Sequence, residues 1–120
     1  MNDAWNRTAE EVFEDHLREG KTGSVEDDFA RNYAEDVVLL TGRGIHRGRD
    51  GLLYLAGLLQ KELPNAAFEY RTRLVEGDMA FLEWTARSEG GVIEDGADSY
   101  LIRDGRIVAQ TIHYTVKPVR

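Results

Sequence analysis

The chain has 120 residues, enough for one domain around one hydrophobic core, and 42% of them are apolar, which excludes a disordered polymer. It has no cysteine, so disulfides and thiolate metal sites are excluded and a reducing cytosol is its simplest home, a cytoplasmic expectation. Fifteen Lys and Arg stand against 22 Asp and Glu, and the net charge of −7 repels phosphate backbones and anionic lipid, so neither nucleic acid nor a membrane is expected as a partner.

No apolar run approaches the roughly 18 residues that cross a bilayer. The opening segment MNDAWNRTAEEVFEDHL is acidic and lacks the basic and apolar regions of a signal peptide. Over residues 3–19, Trp5, Ala9, Val12, Phe13, His16 and Leu17 fall at helical spacing, which predicts an amphipathic helix stopped by Gly20. Ser24 is the cap for a short second helix with Val25, Phe29 and Tyr33 four apart on one face. Val37-Val38-Leu39-Leu40 reads as a strand, closed by the turn Thr41-Gly42-Arg43-Gly44. Asp50 caps a third helix that runs to Leu63, and Pro64 ends it. From Ala66 onward strands alternate with the turns Gly77-Asp78, Gly90-Gly91 and Asp104-Gly105, pairs that favour tight antiparallel hairpins. Helices first and a meander after them predict one α+β domain, 1–120.

Two-residue loops at all three turns fix the register by counting, and cross-strand partners share a face. Tyr100 then pairs with Ala109 and Phe81, Asp98 with Thr111 and Glu83, and Tyr70 with Thr85. One face carries Phe68, Tyr70, Leu74, Phe81, Tyr100, Ile102 and Ile107, with Thr72, Glu83, Asp98, Thr111 and His113 among them. The other carries Ala80, Leu82, Trp84, Ala86, Leu101, Val108, Ile112 and Tyr114. The helices can cover only one of these apolar faces. The face around Trp84, Leu82, Val108 and Ile112 is therefore expected to seat a second copy of the chain, as a homodimer.

On the first face Glu83 and Asp98 are neighbours among aromatics. Two like charges side by side, partly desolvated, share a proton at a raised pKa, which is how a carboxyl becomes a general acid near neutrality. His113 on the same face supplies a base. Each has a plainer alternative: Asp98 as a structural carboxylate bonded to a helix end or Thr111, Glu83 as a rim partner of Arg87 or Arg71, and His113 as a solvated residue. His16 is a wall or core histidine, and His46 lies at the pocket mouth or in an ordinary loop. Tyr33, Tyr70, Tyr100 and Phe81 either contact ligand or pack the core. Metal-ligand spacing, a phosphate loop and a nucleophile elbow are all absent from the sequence, so neither metal nor cofactor is expected.

Three stretches resemble the SnoaL-like branch of the nuclear transport factor 2-like superfamily: His16-Leu17 through Tyr33-Ala34-Glu35-Asp36-Val37-Val38-Leu39, then Ile45-His46-Arg47-Gly48-Arg49-Asp50, and Gly96-Ala97-Asp98-Ser99-Tyr100 through Ile107. The resemblance implies a cone: a curved antiparallel sheet wrapped around three helices, with a pocket between them. In the ketosteroid isomerase relatives, the Asp that matches Asp98 points into the pocket as a protonated acid. The isomerases' general base falls at Thr41 and their oxyanion tyrosine near Glu14, while the carboxylate of the cyclases falls at Ile112, so both known catalytic patterns are incomplete. The expected ligand is a small, largely apolar, ring-containing molecule, handled by cofactor-free acid–base chemistry of the isomerase, cyclase, dehydratase or hydrolase kind. The competing reading is a non-catalytic ligand-binding or dimeric interaction module.

Overall fold

The computed structural model describes residues 7–119, so Trp5 and the expected helix start at Asp3 lie outside the described residues. Helix α1 spans Ala9–Thr22 and begins with a capping box: Thr8 Oγ1 accepts from Glu11 N, and the Glu11 carboxylate accepts from Thr8 N. It runs past Gly20 and ends at Gly23. Helix α2, Val25–Asn32, is capped by Ser24 as expected. Strands β1 (Tyr33–Thr41) and β2 (Gly44–Arg47) form a hairpin, helix α3 spans Gly48–Glu62, and β3 (Ala67–Glu76), β4 (Met79–Ser88), β5 (Gly91–Arg103) and β6 (Arg106–His113) complete the chain. The sequence pattern missed β2, whose short stretch Gly44–Arg47 alternates too briefly to register. Helix α3 starts two residues before Asp50, with no side-chain cap on Arg47.

The six strands lie in the order β2-β1-β6-β5-β4-β3. All neighbours are antiparallel except β1 and β6, which run parallel, so the sheet is mixed. The sheet is curved and unclosed, and its inner face meets the helices. Val12, Phe13 and Leu17 of α1 pack there with Leu52, Leu82, Ile102 and Ile107. Among the described residues no helix is long and apolar enough to cross a membrane.

The hairpins at Gly77-Asp78 and Asp104-Gly105 form as counted, with Asp104 and Gly105 both at positive φ, as a tight primed turn needs. The third turn is Glu89-Gly90, because Gly91 already pairs with Ser88 inside the ladder. Gly91 is a glycine for another reason: a Cβ there would meet Lys117 O and Val116 Cγ1 at 2.9 Å. Register shifts between Tyr70 and Thr72, between Trp84 and Ala86, and between Leu101 and Ile102 move the remaining pairs. Each one-residue shift exchanges the faces beyond it. Tyr100 therefore opposes Ala80 and Gln110, and Asp98 opposes Leu82 and Ile112.

The corrected faces reverse two expectations. Trp84 is buried on the inner face and cannot seat a second copy. Phe81 and Glu83 lie on the outer face, where one row, Ile45, Leu40, Thr111, Ser99, Phe81 and Leu74, crosses all six strands.

Candidate active site

Between the inner sheet face and the three helices lies an open cavity of about 710 Å³. Leu52, Leu55 and Leu59 of α3 wall one side, and Phe68, Leu82 and Trp84 wall the sheet side. A hydrogen-bonded cluster of polar groups lies on this wall where α1 and α2 meet strands β5 and β6.

His16 projects from α1 because it continues the buried stripe of Val12, Phe13 and Leu17. Its Nδ1 lies 2.8 Å from Asp28 Oδ2, and its Nε2 lies 2.9 Å from the hydroxyl of Tyr100. A carboxylate only accepts, so Nδ1 carries a hydrogen and the ring is oriented by Asp28. Asp28 is fixed in turn by Asn32, whose Nδ2 donates to Asp28 Oδ1 and to Asp15 Oδ2, each at 2.9 Å. Burial alone would lower the His16 pKa, but the charge and hydrogen bond of Asp28, with Asp98 and Asp15 behind, outweigh it and raise the imidazole above its ordinary value.

Asp98 stands beside this chain on β5. Its Oδ1 accepts from Trp84 Nε1 and its Oδ2 from Gln110 Nε2, both at 2.9 Å, and Gln110 Oε1 accepts from the Tyr33 hydroxyl at 2.5 Å. Burial pushes the carboxyl above the usual carboxylate range, against the opposing pull of Trp84, Gln110, His16 and Tyr100. Burial also holds the Tyr33 and Tyr100 phenols far above neutrality, so both remain protonated. Tyr70, pushed up to about 12 by burial, donates to Leu17 O at 2.9 Å and pins the end of α1.

The structure brings Asp98, Tyr100, Tyr33, Tyr70 and His16 to one cavity. Glu83 is exposed on the opposite face, beside Ala97 rather than Asp98, so the expected carboxylate pair does not form. Phe81 is also outside. His113 borders the cavity but is largely exposed, opposite Ala97 rather than Asp98, and its Nε2 lies 3.4 Å from Asp95. His46 stacks on Tyr54 with centroids 5.3 Å apart and does not line the cavity. Asp28, Gln110 and Trp84 were missed as site residues. A signal for Asp28 existed: a histidine in an apolar stripe needs a buried partner, and Asp28 shares the inward face of α2 with Val25 and Asn32. Among the described residues no three His, Asp or Glu side chains are grouped to hold a metal ion.

The family model of the SnoaL-like domain matches residues 9–110, and the chain belongs to that family. No curated protein sequence matches it. Its fold is similar to that of a nuclear transport factor 2-like protein of unknown function from Burkholderia xenovorans LB400, with TM-score 0.73 and 19% identity over 93% of this chain and 85% of that one. TerC, co-crystallized with polyporic acid, gives TM-score 0.72 and 16% identity over 89% of this chain and 91% of TerC. A candidate polyketide cyclase from Sinorhizobium meliloti gives TM-score 0.69 and 21% identity over 85% and 93%. At these identities the likeness is one of fold.

Proposed function

We propose that this chain binds a small, largely apolar, ring-containing molecule and performs cofactor-free acid–base chemistry next to an oxygen of that molecule. One observation carries the reading: the chain Asp28–His16–Tyr100 ends beside Asp98 on a cavity wall that also carries Leu52, Leu55, Leu59, Phe68 and Leu82. With His16 protonated, Nε2–H donates to the Tyr100 oxygen, and the phenol hydrogen is shared between Asp98 and an incoming substrate oxygen. Negative charge growing on that oxygen is met by Tyr100, with the imidazolium behind it. Asp98 exchanges a proton with the neighbouring carbon or leaving oxygen, in a setting that favours its neutral form. These roles suit an isomerisation, cyclisation or dehydration. His16 takes the place expected for His113, and Asp98 works without Glu83. That TerC, of the same fold, was co-crystallized with polyporic acid supports a small organic ligand for the cavity.

A thermal-shift screen against polycyclic ketones, polyketide-like aromatics and terpenoids tests the proposal, since a ligand of the folded state raises Tm by mass action. A hit is expected to be converted, and Tyr100→Phe is expected to cut kcat by about 10²–10³-fold, the usual cost of one oxyanion donor. A ligand bound but unchanged after long incubation would leave a binding module and overturn the catalytic half. Silence across the whole panel would overturn both halves.

A further inference from the structure

Gln110 sits on β6 between Asp98 and Tyr33, and both it and Tyr33 are almost wholly buried, at 4% and 3% exposure. Their amide and phenol therefore take their first partners from within the trio. The Trp84 indole can only donate, so Asp98 Oδ1 remains an acceptor in every state. A proton added to Asp98 is favoured on Oδ2, because the hydroxyl oxygen of a carboxylic acid is the weaker acceptor and Oδ1 already serves the indole. There it would face the Nε2–H of Gln110, two hydrogens in one 2.9 Å contact.

We infer that Gln110 is the positioning residue that lets Asp98 change protonation state in place, by turning its amide over between Asp98 and Tyr33. In the ionised state Nε2 donates to Asp98, and Oε1 accepts from the Tyr33 hydroxyl. After a half-turn Oε1 accepts from the new Oδ2–H, and Nε2 donates to the Tyr33 oxygen. Each heavy atom keeps one partner, because a phenol both donates and accepts. The hydroxyl hydrogen of Tyr33, released from Gln110, becomes free to meet a ligand, since Tyr33 lines the cavity. No backbone or ring has to move.

The other groups facing Asp98 leave this exchange to Gln110. His16 on α1 acts on it through charge, Asp28 on α2 reaches it only by way of His16, Tyr100 on its own strand acts through its hydroxyl, and Tyr70 and Tyr114 border the same cavity as neutral phenols. Helix α3 presents apolar side chains and Gln60.

The inference rests on the reading of Asp98 as the proton-exchanging acid, but its test uses the ligand-free protein, so a wrong ligand class leaves it standing. The Asp98 carboxyl carbon, the Trp84 indole N–H and the Gln110 side-chain amide are followed by NMR across pH. The Gln110 amide is expected to change environment at the same midpoint as the Asp98 carbon. Asp98→Asn, whose Nδ2 donates as the protonated acid does, should show at neutral pH the Gln110 signals of the wild type at low pH. Gln110→Leu, which removes a donor from the ionised form, should move the Asp98 midpoint upward. A Gln110 amide that stays constant through the Asp98 transition, or that keeps its ionised-state signals in Asp98→Asn, overturns the inference. So does an unmoved midpoint in Gln110→Leu, and if that variant does not fold the first two readouts still decide.

Discussion

Asp15 and Asp98 are both buried carboxylates, and the fold treats them in opposite ways. Asp15, between α1 and α2, accepts two hydrogen bonds from the Arg31 guanidinium at 2.7 and 2.8 Å, with Arg18 at 3.0 Å and Asn32 at 2.9 Å. The Arg31 bonds hold it well below the usual carboxylate range, against the upward push of burial. Asp98 has the same number of lone pairs to fill, yet its two close donors, an indole and an amide, are both neutral. Burial then wins, and its pKa rises. The difference separates two uses of a buried acid. A carboxylate given a guanidinium becomes a permanent anion and ties two helices together. A carboxylate given neutral donors keeps a proton within reach, as acid–base chemistry requires.

The largest expected effect tests the first half of that contrast. Asp15→Asn leaves Arg31 only its longer contact with Glu19 and gives Asn32 a crowded contact, and should cost about 1–2 kcal/mol in urea unfolding at neutral pH, most of it from the buried hydrogen bonds because the exposed arginine contributes little. A loss below about 0.5 kcal/mol would mean that Asp15 is not the helix tie.

The pH profile separates the two acids next. The folded pKa of Asp98 is raised, so its stability contribution is full below the unfolded value of about 4 and is lost as pH rises through the folded pKa. Asp15, depressed, contributes above about pH 4 and loses its share as pH falls. Asp98→Asn should therefore stay within about 1 kcal/mol of wild type, gaining relative to it as pH rises, because it imitates the neutral acid. A difference curve flat with pH would place an ordinary carboxylate at 98. The smallest effect belongs to Glu83→Gln, which should change both stability and ligand response by less than about 0.5 kcal/mol, as expected of a solvated outer-face residue. A loss of activity there would restore the pairing with Asp98 that the register removes.

The architecture was legible in the sequence because helical stripes, caps and Gly-rich turns are local signals. The capping residue Ser24 and the Asp104-Gly105 turn each act over a few residues, whereas the cap at Thr8 was hidden inside a longer expected helix. The positions of Asp98, Tyr100 and His16 on the cavity wall were legible. Their partners were not. Gln110 and Trp84 reach Asp98 only through a register that depends on the bulges, and alternation of apolar residues carries no mark of an extra residue. Gly91 misled the count because a glycine needed for close packing looks in sequence like a glycine needed for a turn.

Those bulges bear on how this chain can change over generations. Side chains along β4, β5 and β6 can be exchanged one at a time, since each substitution leaves its neighbours on their own faces. A one-residue deletion beside Arg71 or Val108 would carry every residue beyond it to the other face, removing Tyr70 or Gln110 from the cavity in a single event. Strand length is thus heritable information about chemistry, and within this sheet a family of new binders can diverge in composition far more freely than in spacing.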